Sequence, residues 1–243
     1  MAARPTTPPM PWRSLLLVLL LLLSPLGPVA CAATGSSAAV GCGTAGVPCL
    51  QGTAVVELKT SKGVVELSLD GAAAPLTAGN FVDLVRRGVY NGTLFHRVVR
   101  EPIPFVVQGG DPQSANPNTP VDLLGTGSYV DPGNGQPRLI PLELFLSGDS
   151  TPRYGEVLTG PGQQARLRLQ HQRGAVAMAR SAEPNSASAQ FYIALKALPE
   201  LDGRYAVFGR VTKGMDVVDR ISQGDKLISA TVLQGGTLVR DAK

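Results

Sequence analysis

The sequence predicts a mainly β fold: a closed eight-stranded antiparallel barrel with two short capping α-helices. Three observations lead there. Eight short apolar runs rich in Val, Ile, Phe and Tyr lie between turn residues, as strands do. Two segments carry helical spacing instead. Gly at 28 and Pro at 20 of 243 residues supply many turns and show no collagen period. A closed barrel is favoured over an open sheet because it leaves no strand edge exposed.

Val55–Thr60 and Val64–Asp70 are β-branched runs around Ser61-Lys62-Gly63, a hairpin turn. In the second run Val65, Leu67 and Leu69 alternate with Glu66 and Ser68, giving one buried face and one wet face. Thr77 is placed to N-cap a helix in which Phe81, Leu84 and Val85 fall at i, i+3 and i+4, and Gly88 ends it. Further strands are expected over Leu94–Val99, Phe105–Gln108, Gly174–Ala179, Gln190–Leu195, Tyr205–Val211 and Leu227–Leu233. Met215–Ile221 is the second helix, with Met215, Val218 and Ile221 on one side. Residues 112–173 are dense in Pro, Gly, Asn and Gln and read as a long loop insertion. A loop of that length is usually functional or ordered by its own contacts.

The first residues read as an address. Arg4 and Arg13 give a positive start, Leu15–Leu23 an apolar stretch, and Ala30-Cys31-Ala32 small residues for cleavage. Nine apolar residues span about 14 Å as helix, under half of a bilayer core of about 30 Å. Residues 1–32 are therefore expected to be a signal peptide, 33–52 a Gly/Ala/Ser-rich linker, 53–236 one domain and 237–243 a tail. Cys31 offers a second processing route, lipidation and a membrane tether. Either way Cys42 and Cys49 remain, and an even pair in an oxidising compartment makes them a disulfide candidate. Export to a periplasm, a thylakoid lumen or the extracytoplasmic face of a membrane follows.

Charge narrows the function classes. The net charge is +4, but Arg4 and Arg13 are the only charges before Glu57, and without them 20 basic residues face 18 acidic ones. No Lys/Arg run is interleaved with aromatics, so no nucleic-acid partner is expected. Two His and three Cys, widely spaced, make no metal site.

Three segments carry the chemistry. The first is Asn80-Phe81 followed by Gly88-Val89-Tyr90-Asn91-Gly92-Thr93-Leu94-Phe95-His96-Arg97-Val98. The second is Phe105-Val106-Val107-Gln108-Gly109-Gly110-Asp111. The third runs from Gly174-Ala175-Val176-Ala177-Met178-Ala179 through Ser188-Ala189-Gln190-Phe191-Tyr192-Ile193 to Leu201-Asp202-Gly203-Arg204-Tyr205-Ala206-Val207-Phe208-Gly209. In this order they resemble the cyclophilin-type peptidyl-prolyl cis-trans isomerases over about residues 53–236.

The resemblance implies a cyclophilin-like barrel, no cofactor, and a monomer acting on proline-containing polypeptides. An Xaa-Pro bond turns slowly because its C–N bond has partial double-bond character, with a barrier of about 18–20 kcal/mol. No covalent bond breaks, so a guanidinium aimed at the prolyl nitrogen of the twisted amide and an apolar pocket for the ring suffice. By resemblance Arg97 is that guanidinium and Gln108 orients it. Phe105, Val106, Tyr192, Leu201 and Tyr205 wall the proline pocket, and Ala179, Arg180 and Gln190 line the peptide groove. Phe95, Met178 and Phe208 read as packing residues, His96 as structural, and His171 as a loop residue without a partner. Tyr192 stands where the family usually has Phe, so its hydroxyl needs a partner. About three extra residues between Arg97 and Gln108, around Arg100–Pro104, are expected to shift Phe105 relative to Arg97. The alternative function is a catalytically weak binding or chaperone module for proline-containing segments.

Overall fold

The computed structural model describes residues 46–239. The segment read as a signal peptide, Cys31, Cys42, most of the stretch read as a linker and the last tail residues lie outside the described residues.

β1 (Cys49–Thr60) and β2 (Gly63–Asp70) form the hairpin, with Thr60 opposite Gly63. The Thr60 hydroxyl donates to the Gly63 carbonyl at 2.8 Å and accepts the Lys62 N–H at 3.1 Å, which closes the turn. Val56, Leu58, Val65, Leu67 and Leu69 alternate inward and are fully buried.

α1 (Pro75–Arg86) begins earlier than the sequence indicated, and Thr77 does not cap it. Pro75 starts the helix because its missing N–H would have no partner there. Thr77 lies in the first turn, buried, and its own N–H needs a cap. The cap comes from the insertion: the Glu143 carboxylate accepts the N–H groups of Leu76 and Thr77 at 3.1 and 2.8 Å. Gly88 follows the helix at φ 70°, where a side chain would be strained.

β3 (Arg97–Val98) and β4 (Val106–Gly109) come next. The insertion then folds into two small hairpins, β5 (Val130–Asp131) with β6 (Gln136–Pro137) and β7 (Glu143–Leu144) with β8 (Arg153–Tyr154). A single turn, α2 (Pro161–Gln164), leads out of it. β9 (Ala175–Met178), β10 (Phe191–Ala194), β11 (Val207–Lys213), α3 (Met215–Arg220) and β12 (Leu227–Val239) complete the described chain.

Eight strands share one antiparallel sheet in the order β12-β1-β2-β11-β9-β10-β4-β3. The predicted strand Leu94–Val99 is reduced to β3 because the chain before it bonds elsewhere. Phe95 N–H donates to the Asp225 carbonyl at 2.9 Å and Leu227 N–H to Thr93 at 2.8 Å. These bonds link the chain beside one edge of the sheet to the start of the strand at its other edge. β1 and β12 also outrun their predicted ends. Cys49 pairs with Val239, so residues read as linker and tail extend the sheet and satisfy each other's amides. Cys49 is disulfide-bonded.

Phe81 organises the core from α1. Its ring meets Tyr90 at 4.9 Å, Phe208 at 5.1 Å and Phe191 at 5.3 Å. Burying each such side chain contributes about 1.5–3 kcal/mol. Phe95, Met178 and Phe208 are all buried in this core. Arg138 of the insertion clamps α1 by pairing with Asp83, and it also reaches Asp131 at 3.2 Å. Burial acts to raise the Asp83 pKa, but hydrogen bonds from Arg138 and Arg87 outweigh it and hold the carboxyl below its ordinary value.

Candidate functional site

Strand register builds the site. Arg97 on β3 lies opposite Gln108 on β4, and Gln108 lies opposite Tyr192 on β10. Directly opposed residues share a face of the sheet. Val107 and Ile193, one step along, point into the main core. Val106 and Tyr192 instead join a second apolar cluster with Ala177, Ala194 and Val207 on the outer face. Phe105, Ala179, Leu201 and Tyr205 pack against that cluster.

A cavity of about 270 Å³ opens over this outer cluster. Arg97, Gln108, Phe105 and Val106 line one part of it, and Ala179, Arg180, Tyr192, Leu201 and Tyr205 the rest. The structure thus gathers every predicted site residue around one cavity except Gln190. That residue lines an adjoining cavity of about 350 Å³, which shares Gln108, Ala179 and Arg180 with the first.

The extra residues after Arg97 do not carry Phe105 away. Glu101–Pro104 bulge into solvent, while Val99 and Phe105–Val106 exchange two backbone bonds of 3.0 Å at the neck. The Arg97 guanidinium carbon therefore stands 5.9 Å from the centre of the Phe105 ring.

A relay of amides reaches Arg97 from behind. Arg97 Nη1 donates to Gln108 Oε1 at 3.3 Å, and Gln108 Nε2 donates to Gln190 Oε1 at 3.2 Å. Gln190 Nε2 donates to the carbonyls of Gly125 and Gly127 at 2.9 and 2.8 Å. Asp111 holds that loop, accepting the Gly125 N–H at 2.6 Å. A Cβ on Gly127 would collide with the Asp111 carboxylate, so a larger residue there would have to displace the group that holds the loop. Beside this relay, burial lowers the pKa of His96 and keeps its ring neutral.

Arg180 is committed to backbone. Nε and Nη2 donate to the Arg204 carbonyl at 2.9 and 2.7 Å, and Nη1 to Ser181 and Ala182 at 2.8 and 3.0 Å. Its guanidinium lies 4.8 Å from the Tyr205 ring centre and walls the cavity as a flat plate.

His171 corrects the reading that left it without a partner. Its Nδ1 meets Asp202 at 2.7 Å and its Nε2 meets the Tyr192 hydroxyl at 2.8 Å. The partner for that hydroxyl thus lies beneath the cavity. Sequence reasoning missed Asp111, Gly125, Gly127 and Asp202 as supports of the site. Asp111, Asp202 and a partner-seeking Tyr192 stand within the three motif segments, but no local spacing ties them to residues 125–127 or 171.

Comparisons with known proteins identify the family. The family model for cyclophilin type peptidyl-prolyl cis-trans isomerase/CLD matches residues 55–238. The chain is 39% identical over 202 residues to a putative thylakoid lumen peptidyl-prolyl cis-trans isomerase of Synechocystis sp., covering 79% of this chain and 50% of that protein. It is 37% identical over 207 residues to a chloroplastic peptidyl-prolyl cis-trans isomerase of Arabidopsis thaliana, covering 78% and 44%. Peptidyl-prolyl cis-trans isomerase A of Dickeya dadantii is 36% identical over 173 residues, with coverage of 69% and 70%. The chain spans about half the length of the first two relatives. Among solved structures, cyclophilin AquaCyp293 from Hirschia baltica matches at a TM-score of 0.53 and 26% identity, covering 76% of each chain.

Proposed function

This chain belongs to the cyclophilin-type peptidyl-prolyl cis-trans isomerase family, and from that premise we propose that it accelerates Xaa-Pro rotation in exported polypeptides. The observation that carries the reading is the placement of Arg97. A guanidinium held by Gln108 stands beside Phe105 in the lining of a cavity of about 270 Å³ whose apolar part is formed by Phe105, Val106, Tyr192, Leu201 and Tyr205.

In this reading the proline ring enters between Phe105, Val106, Tyr192, Leu201 and Tyr205. The preceding carbonyl then turns about the C–N bond. At the twisted geometry resonance is lost and the prolyl nitrogen gains a lone pair, which an Arg97 N–H meets. The bond exists only in the twisted state, so it lowers the barrier rather than merely holding substrate. One preorganised donor of this kind contributes about 3 kcal/mol. Ala179, Arg180 and Gln190 border the path of the flanking peptide. No side chain gains or loses a proton in the cycle.

We read the 92–95 to 224–228 contacts as closing the sheet into a barrel. Slow amide exchange at Phe95 and Leu227 is the expected sign. The lumenal and chloroplastic names of two relatives support export of this chain too, with Cys31 as an alternative lipid anchor and Cys42 as the partner of Cys49.

A protease-coupled assay on a prolyl tetrapeptide tests the function. Arg97→Ala should lower kcat/KM at least about a hundredfold. Equal rates for wild type and variant, both at the uncatalysed level, would favour a binding module instead.

A further inference from the structure

Isomerisation as described uses no imidazole, yet one is built in beneath the pocket. His171 comes from the end of the insertion and Asp202 from the turn after Pro199–Leu201. Asp202 Oδ1 accepts the His171 backbone N–H at 2.8 Å and faces Nδ1 at 2.7 Å. A carboxylate accepts and does not donate, so Nδ1 carries the proton, and burial lowers the His171 pKa and disfavours a second proton, leaving Nε2 as an acceptor. The Tyr192 hydroxyl donates to it at 2.8 Å. His171, Tyr192 and Asp202 are 1%, 4% and 7% exposed, so none of these bonds is readily exchanged for water. The imidazole also stacks on the Tyr192 ring at 5.9 Å and 14°, and Tyr192 meets Tyr205 edge-on at 5.8 Å. Tyr192 lines the proline cavity, whereas His171 and Asp202 border a different one of about 330 Å³.

We propose that His171, oriented by Asp202, is a positioning residue that anchors the Tyr192 hydroxyl and so fixes the wall against which the proline ring packs. The proposal rests on reading that cavity as the proline pocket. A Phe at position 192 would pack without a partner. The hydroxyl introduces a demand in a dry place, and His171 meets it from behind.

Three variants separate anchoring from general support. Asn in His171→Asn keeps an amide N–H near Asp202 but is too short to reach Tyr192. Gln in His171→Gln extends an acceptor toward the hydroxyl. Tyr192→Phe combined with His171→Asn removes the demand itself. Titration calorimetry with an Ala-Ala-Pro-Phe peptide reads affinity and the number of competent sites separately. His171→Asn should weaken Kd about tenfold, His171→Gln should stay within about threefold of wild type, and the double variant should bind more tightly than His171→Asn alone. In turnover the same loss should appear as a raised KM at unchanged kcat, because the wall contacts ground and transition states alike. A merely structural role would reduce the number of competent sites and leave Kd and KM alone. Wild-type affinity in His171→Asn, or a double variant as weak as that single variant, overturns the proposal. Wild-type protein that binds the peptide without turnover overturns only the isomerase reading. Wild-type protein that binds no prolyl peptide overturns both.

Discussion

Replacing Gln190 by Ala tests whether the insertion holds Arg97 in place. The change removes three hydrogen bonds together: one to Gln108 and two to the carbonyls of Gly125 and Gly127. Gln108 can then turn, and its bond to Arg97 Nη1 at 3.3 Å has no fixed acceptor. Bonds of this length are weak, about 0.5–1 kcal/mol net, so the main effect is on conformational freedom. Arg97 is exposed, and several staggered rotamers open once its acceptor is released. Dilution of the productive rotamer to one of about three to ten costs about 0.7–1.4 kcal/mol. The expected result is a three- to tenfold fall in kcat/KM, carried by kcat, in the protease-coupled assay. A loss as large as that of Arg97→Ala would mean that Gln190 itself acts on the substrate. An unchanged rate would mean that Arg97 needs no support from residues 125–127. Either outcome refutes the relay.

Two further predictions concern stability and processing. Burial raises the Glu143 pKa despite the hydrogen bonds it accepts from Thr77, Leu76 and Tyr154, so the folded protein holds that proton more tightly than the unfolded chain. Its contribution is full below the ordinary value of 4.5 and is lost as pH rises through the folded value. Urea unfolding should therefore show Glu143→Gln improving relative to wild type between pH 4 and pH 8; a flat difference would show that burial does not dominate. Mass spectrometry of the non-reduced mature protein should find an N-terminus after Ala32 and a peptide linking Cys42 to Cys49. A diacylated Cys31 would replace the first expectation, and free thiol at Cys42 would defeat the second.

The parts of the fold legible in the sequence are those set by local repetition. The alternation Val65, Leu67, Leu69 and the spacing Phe81, Leu84, Val85 each imply a face, and those faces are buried. Strand ends are less legible because pairing partners decide them. Val239 extends β12 only because Cys49 lies opposite it. The start of α1 is hidden for the same reason, since its cap is a carboxylate about 65 residues away in sequence. At the site, Arg97, Gln108 and Tyr192 fall in one row because their strands are neighbours, and the motif order already places them near each other. The role of His171 is not legible because nothing near it in sequence explains a histidine. Only Tyr192, with a hydroxyl where packing alone needs none, hints that a partner exists.

These supports converge on residues 112–173. Gly125 and Gly127 steady the Arg97 side of the cavity through Gln190, and His171 steadies the Tyr192 side. Arg138 and Glu143 fasten the same segment to α1, whose Phe81 centres the core. A segment that merely decorated the groove would touch it from outside and could be shortened at little cost, because loop-closure entropy changes slowly with length. Here the insertion supplies hydrogen-bond partners on two sides of the site and the N-terminal cap of a core helix. Its length follows from these attachments, because one continuous stretch must reach Gln190, then the start of α1, then the underside of Tyr192, and arrive in register with β9.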